Sequence, residues 1–111
     1  MINLNNTLEE IHEQSKKDPY KSLYLSIIFQ AFLDASKPRL KNEDSEIRLQ
    51  RDQANAWFFT SVGVTCENFE FICDYAGLTP KNIRKFAYHV INHSTLENLI
   101  HIRKKITSLL G

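Results

Sequence analysis

Lys81, Asn82, Arg84, Lys85, Tyr88 and His89 stand within nine residues of one another. At spacings of three and four they share one side of a helix. Lysine, arginine and asparagine are the side chains best matched to the acceptor edges of guanine and adenine in a major groove, and the cations also pair with phosphate. The pattern assigns Lys81, Asn82 and Lys85 to base edges and Arg84 and Tyr88 to phosphates, with Thr79 and His89 at the margins of the same surface. Arg103, Lys104 and Lys105 form a second basic group that suits the C-terminal half of a helix and can also reach phosphate.

Positioning these side chains requires a rigid pair of elements, which residues 69–90 are composed to form. Phe69, Ile72, Cys73 and Ala76 recur at spacings of three and four, an apolar stripe that stops at Gly77. Glycine closes a helix in the left-handed conformation without steric cost, and Leu78 can then fold back onto the core. Thr79 is a natural N-cap and Pro80 suits the first helical position, so a second helix starts three residues later. Ile83, Phe86, Ala87 and Val90 are its inward face, which leaves the basic set outward.

Cys73, a small residue on the first helix, Gly77 four residues on, the apolar Leu78, and then Ile83 and Phe86 resemble the helix-turn-helix signature. In that superfamily the small residue lets two helices cross closely and the second helix enters the major groove. The alternative is a purely structural helical corner. A wider stretch, LYLSIIFQAFLDA from Leu23, RDQANAWFF from Arg51 and FEFICDYAGLTPKNIRK from Phe69, resembles small helical proteins of alphaproteobacteria and their phages. Most of those carry no assigned activity, and similar short regulators of obligate intracellular bacteria are DNA-binding transcription factors. The resemblance implies duplex DNA as the partner.

Composition sets the remaining bounds. The chain of 111 residues suits a single domain, 1–111, and three glycines, three prolines and 42% hydrophobic residues suit an all-α fold of five to six helices with a helix-turn-helix in the C-terminal half. The net charge of +1 hides a split: residues 1–79 hold eight Lys and Arg against twelve Asp and Glu, residues 80–111 six against one. Such asymmetry brings a polyanion to one end of a nearly neutral molecule. Cys66 and Cys73 lie two helical turns apart, too far for a disulfide, and read as reduced thiols of a cytoplasmic protein. No secretory leader or membrane span is expected. His89 and His93 lack the second ligand pair a zinc site needs, and no phosphate loop, nucleophile elbow or carboxylate pair is evident, so neither a cofactor nor enzymatic activity is expected.

The other elements read as supports. Residues 7–17 suit a short amphipathic helix capped by Thr7. Asp18-Pro19 starts a second helix over 19–35 that is apolar on nearly every side, so it is surrounded, either as the central core helix or at a dimer interface. Residues 36–42 form a polar linker. A third helix over 44–59 places Ile47, Ala54, Trp57 and Phe58 inward, with Trp57 as core anchor and Arg51 on a charged outer face. Residues 61–65 read as a turn with a short extended segment and Thr65 as the following cap. Ser94 with Glu97 reads as a capping box for a final helix over 95–110, whose Leu99, Ile102, Ile106 and Leu109 form a coiled-coil-like seam. The expected function is transcription regulation by a homodimer reading duplex DNA; the competing expectation is a helical adaptor or phage-derived inhibitor that docks on another protein. RNA is a third possible partner for the same basic face.

Overall fold

A computed structural model describes residues 4–92 and 95–110, with the side chains of residues 4–7, 14 and 15 set aside. The described residues form an all-α fold of six helices: α1 Leu4–Ser15, α2 Pro19–Ala35, α3 Ser45–Phe59, α4 Gly63–Tyr75, α5 Pro80–Asn92 and α6 Leu96–Leu110. None is long and apolar enough to cross a membrane.

Several boundaries follow from local chemistry. Asp18 caps α2, its carboxylate accepting the Tyr20 N–H at 2.9 Å, and Pro19 fills the first turn, where no N–H is needed. Asp44 does the same for α3 through the Glu46 N–H at 2.8 Å. Gly77 has φ +76°. Around it the Leu78 N–H donates to the Cys73 carbonyl at 2.9 Å and the Gly77 N–H to the Asp74 carbonyl at 3.0 Å. This two-bond Schellman arrangement closes α4 and turns the chain into α5.

Other boundaries differ from expectation. Helix α1 begins at Leu4, so Thr7 lies inside it rather than capping it; no proline or glycine interrupts the residues before. Helix α4 begins at Gly63, so the extended backbone found at Thr60 and Val62 stops there and Thr65 lies in the first turn of the helix. Val62 is its N-cap, and Gly63 takes φ +87° at the first helical position. The expected box at Ser94 lies outside the described residues; the Thr95 hydroxyl accepts the Asn98 N–H at 3.2 Å at the start of α6.

Helix α2 is the centre, packing against α1, α3, α4 and α6. Its inward residues Leu25, Ile28, Phe29, Phe32 and Ala35 are buried. Phe32 joins the layers: its ring lies 4.8 Å from Phe58 of α3 and 5.0 Å, edge-on, from Phe86 of α5. The other side of α2 is not covered, since Tyr20 is 76%, Leu23 60% and Ile27 42% exposed.

Helix α3 buries Ala54 and Phe58 as expected but differs at its other positions. Arg51, Ala54 and Phe58 face inward, Ile47 is exposed, and Phe58 rather than the half-buried Trp57 is the anchor. Trp57 leans edge-on against Phe69 at 5.0 Å while its indole N–H donates to Asn68 Oδ1 at 2.8 Å, a bond that holds the ring at the rim. Arg51, expected on the outer face, is 2% exposed. Its guanidinium donates to both carboxylate oxygens of Glu43 and clamps the 36–44 connection onto α3.

That clamp sets a pH dependence. The hydrogen bonds from Arg51, ahead of those from the Leu40 amide and Arg48, hold the Glu43 carboxyl down at about 2 against an ordinary 4.5. A depressed carboxyl stabilises the fold fully above its unfolded value and loses that contribution as pH falls through the folded one. Stability should therefore decline between about pH 4.5 and about pH 2. Glu43→Gln should be less stable at neutral pH and lack this part of the decline. Chemical denaturation at several pH values checks this, and parallel pH curves for the two proteins would contradict it.

Candidate nucleic-acid interface

Helix α5 is anchored on one side and bare on the other. Ile83, Phe86, Ala87 and Val90 are buried, all within the half-turn that faces α3, α4 and α6. At about 100° per residue, Lys81, Lys85, Tyr88 and Asn92 point farthest from that face. All four are exposed, as are Thr79, Asn82 and His89. Among the described residues no ion pair engages Lys81, Lys85 or Lys104.

The exposed set divides between two shallow grooves. Lys81, Arg84, Lys85, Tyr88 and His89 line one of about 410 Å³ together with Phe59 at the end of α3, whose ring meets Tyr88 edge-on at 6.5 Å. Asn82 and Thr79 lie on the α1 side, in a hollow of about 270 Å³ shared with Ile11 and Leu78. The structure thus brings Lys81, Lys85, Tyr88 and His89 together and sets Asn82 and Thr79 on their flank.

Arg84 has a different occupation from the phosphate contact expected of it. Its Nε donates to the Phe58 carbonyl at 2.8 Å, and the guanidinium carbon sits 4.7 Å from the centre of the Phe69 ring. Phe58 is in the last turn of α3, where carbonyls lack helical partners and the dipole is negative, so Arg84 closes α3 and ties α5 to α4 in one step. Arg84→Ala should lower stability by about 1.5–3 kcal/mol, the range for a hydrogen bond involving a charged group. Thermal unfolding measures it; an unchanged melting temperature would show the latch to be idle.

The second basic group is also partly engaged. Arg103 donates to the Leu33 carbonyl and to Ser36 Oγ, closing the end of α2, and burial pushes its guanidinium down from the ordinary value. Lys105 pairs with Glu9 of α1. Lys104 is exposed beside a separate groove of about 330 Å³ lined by Leu96, Leu99 and Ile100. Arg103 and Lys105 therefore hold helix ends and helix pairs together, and Lys104 does not share the α5 groove.

Two residues join the surface that the pattern of charges did not single out. Phe59 follows the buried Phe58 at the end of α3, and its ring meets Tyr88 of α5 edge-on. Lys21 of α2 lies beside the turn: a Cβ added to Gly77 would meet its Cε and Nζ at 3.3 Å, which brings a further ammonium near the start of α5. No local signal marks that approach.

Both thiols near the site have raised pKa values. Cys66 donates to Glu70 Oε1 at 3.2 Å, which raises its pKa, and burial pushes Cys73 up to about 12. Among the described residues no three His, Cys, Asp or Glu side chains converge as a metal site, and His93 lies outside those residues. No family model, curated protein or solved structure matches the chain.

Proposed function

We propose that the chain binds duplex DNA through the outward face of α5 and acts in the cytoplasm as a transcription regulator, with two copies presenting two such helices to a two-fold related site. The observation that carries this reading is the exposed stripe of Lys81, Lys85 and Tyr88 on a helix whose opposite side is wholly buried. A helix held this way can enter a major groove without losing its packing, and its first turns carry the donors that read base edges. The α4–turn–α5 connection through Gly77 supports the reading, as does the basic balance of residues 80–111. Lys81 and Lys85 contact the duplex directly, Asn82 and Thr79 approach from the flank, and Tyr88 and His89 meet the backbone. Arg84 and Arg103 act from behind by fixing the helices.

A fluorescently labelled 20-base-pair duplex titrated by anisotropy tests this. Binding should weaken by orders of magnitude over a few-fold rise in salt, and duplex DNA should compete better than single-stranded RNA of equal length. Salt-independent binding, or none at low salt, would overturn the reading. The exposed Tyr20, Leu23 and Ile27 favour a second reading, a helical interaction protein that docks through α2. That protein would ignore DNA in the same titration.

A further inference from the structure

We propose that two copies of the chain pair through α2 packed antiparallel on α2 of the second copy, with Ile27 at the two-fold axis. Tyr20, Leu23, Ile27, Gln30 and Asp34 follow one another at spacings of three, four, three and four along the uncovered side of α2. That alternation is the seam spacing of a helix pair, and it continues past the point where the core-facing residues have already been satisfied within one chain. Tyr20, Leu23, Ile27 and Gln30 are exposed, and Asp34 is half-buried.

The order of residues along the seam identifies the occupant and its direction. The seam is polar at both ends and apolar in the middle. Centring a reversed copy on Ile27 sets Ile27 against Ile27, Leu23 against the 30–31 turn, and Tyr20 against Asp34. The Tyr20 hydroxyl then donates to the Asp34 carboxylate at both ends of the contact. A parallel copy would instead set Asp34 against Asp34 at one end of the contact, a like-charge pair, and leave each Tyr20 facing its own copy at the other. Antiparallel helices also oppose their dipoles.

The ground beside the seam fits the same partner. Leu23 and Ile27 form one wall of an apolar groove of about 540 Å³ between α2 and α3, whose other wall is Ala54, Trp57 and two glutamines. Asp34 is the one charged residue on its lining, and Lys37 already lies 3.6 Å from it. A lining with so little charge suits a copy of itself, because two-fold symmetry brings near-axis groups against their own kind. Leu23 of the second copy can seat in this groove. Trp57 and Phe59 lie about 200° apart on α3, so occupying the groove leaves the α5 face open.

This inference deepens the two-copy part of the function proposed above, and its test contains no DNA, so the two fail separately. Sedimentation equilibrium of the full chain should give twice the 12.9 kDa chain mass, and Ile27→Asp should give the chain mass while keeping the helical circular dichroism of the parent. Under mild oxidation Ile27→Cys should cross-link to itself, and Tyr20→Cys mixed with Asp34→Cys should cross-link to each other; the native thiols are buried. A parent protein that stays monomeric at about 100 µM, well above the Kd of a stable dimer, would overturn the proposal. So would an Ile27→Asp variant that stays dimeric, or Asp34→Cys cross-linked to itself.

Discussion

Reversing two charges on α5, Lys81→Glu together with Lys85→Glu, is expected to weaken duplex binding at least ~100-fold at about 50 mM salt, with no loss of thermal stability. Each lysine that neutralises a phosphate releases a counterion, so the dependence of log K on log salt should flatten by roughly 1 for each one removed, and reversal adds repulsion to the loss. The fold should be indifferent because both side chains are exposed and neither enters an ion pair among the described residues. Arg84→Ala is the informative contrast, since its guanidinium is spent on the Phe58 carbonyl and the Phe69 ring. It should lose stability first and bind DNA nearly normally while folded. Anisotropy and melting curves on the same samples separate the two outcomes. A double reversal that binds within about threefold of the parent would remove Lys81 and Lys85 from the interface.

The largest expected effect on stability is at Phe32. Its side chain is fully buried and touches Phe58 on one side and Phe86 on the other, so it is where α2, α3 and α5 meet. Phe32→Ala removes that surface from the core and leaves a cavity between three helices, at a cost of about 3–5 kcal/mol. A domain of this size holds about 5–15 kcal/mol in total, so the variant should sit near the threshold of unfolding. Urea denaturation should show a midpoint far below the parent with a similar slope. A loss under about 1 kcal/mol would mean that the neighbouring rings close the gap, and the three helices would then not depend on this contact. Because Phe86 lies on the buried side of α5, the variant should also lose DNA binding as the helix loosens, an effect that low temperature should partly reverse.

What could be read from the residues alone follows the range of the forces involved. Asp18-Pro19, Gly77 and Pro80 act within a few residues of themselves, and the starts of α2 and α5 and the end of α4 stand where those residues place them. The inward face of α5 was equally legible, because Ile83, Phe86, Ala87 and Val90 leave no other phase. Helix α3 was not. Its apolar residues are few, and a buried Arg51 counts as polar until Glu43 folds across to meet it.

The arginines are the sharper lesson. Arg84 and Arg103 look like any other cation in a basic stretch, yet each donates to a backbone carbonyl at the end of a distant helix, 26 and 70 residues away. Helix ends need such donors wherever the fold brings them near, and sequence spacing carries no record of that approach. Lys81 and Lys85 differ only in having no such end beside them. Charge composition identified a basic C-terminal stretch, residues 80–111, and packing then divided it into cations that hold the fold and cations that face outward.

The backbone amide spectrum of the isotopically labelled chain, followed while a 20-base-pair duplex is added at low salt, tests the central claim most directly. The amides of residues 79–89 should shift or broaden first and farthest, with weaker changes near Lys21 and Phe59. Shifts confined to the α2–α3 groove, or a spectrum unmoved at millimolar duplex, would contradict it.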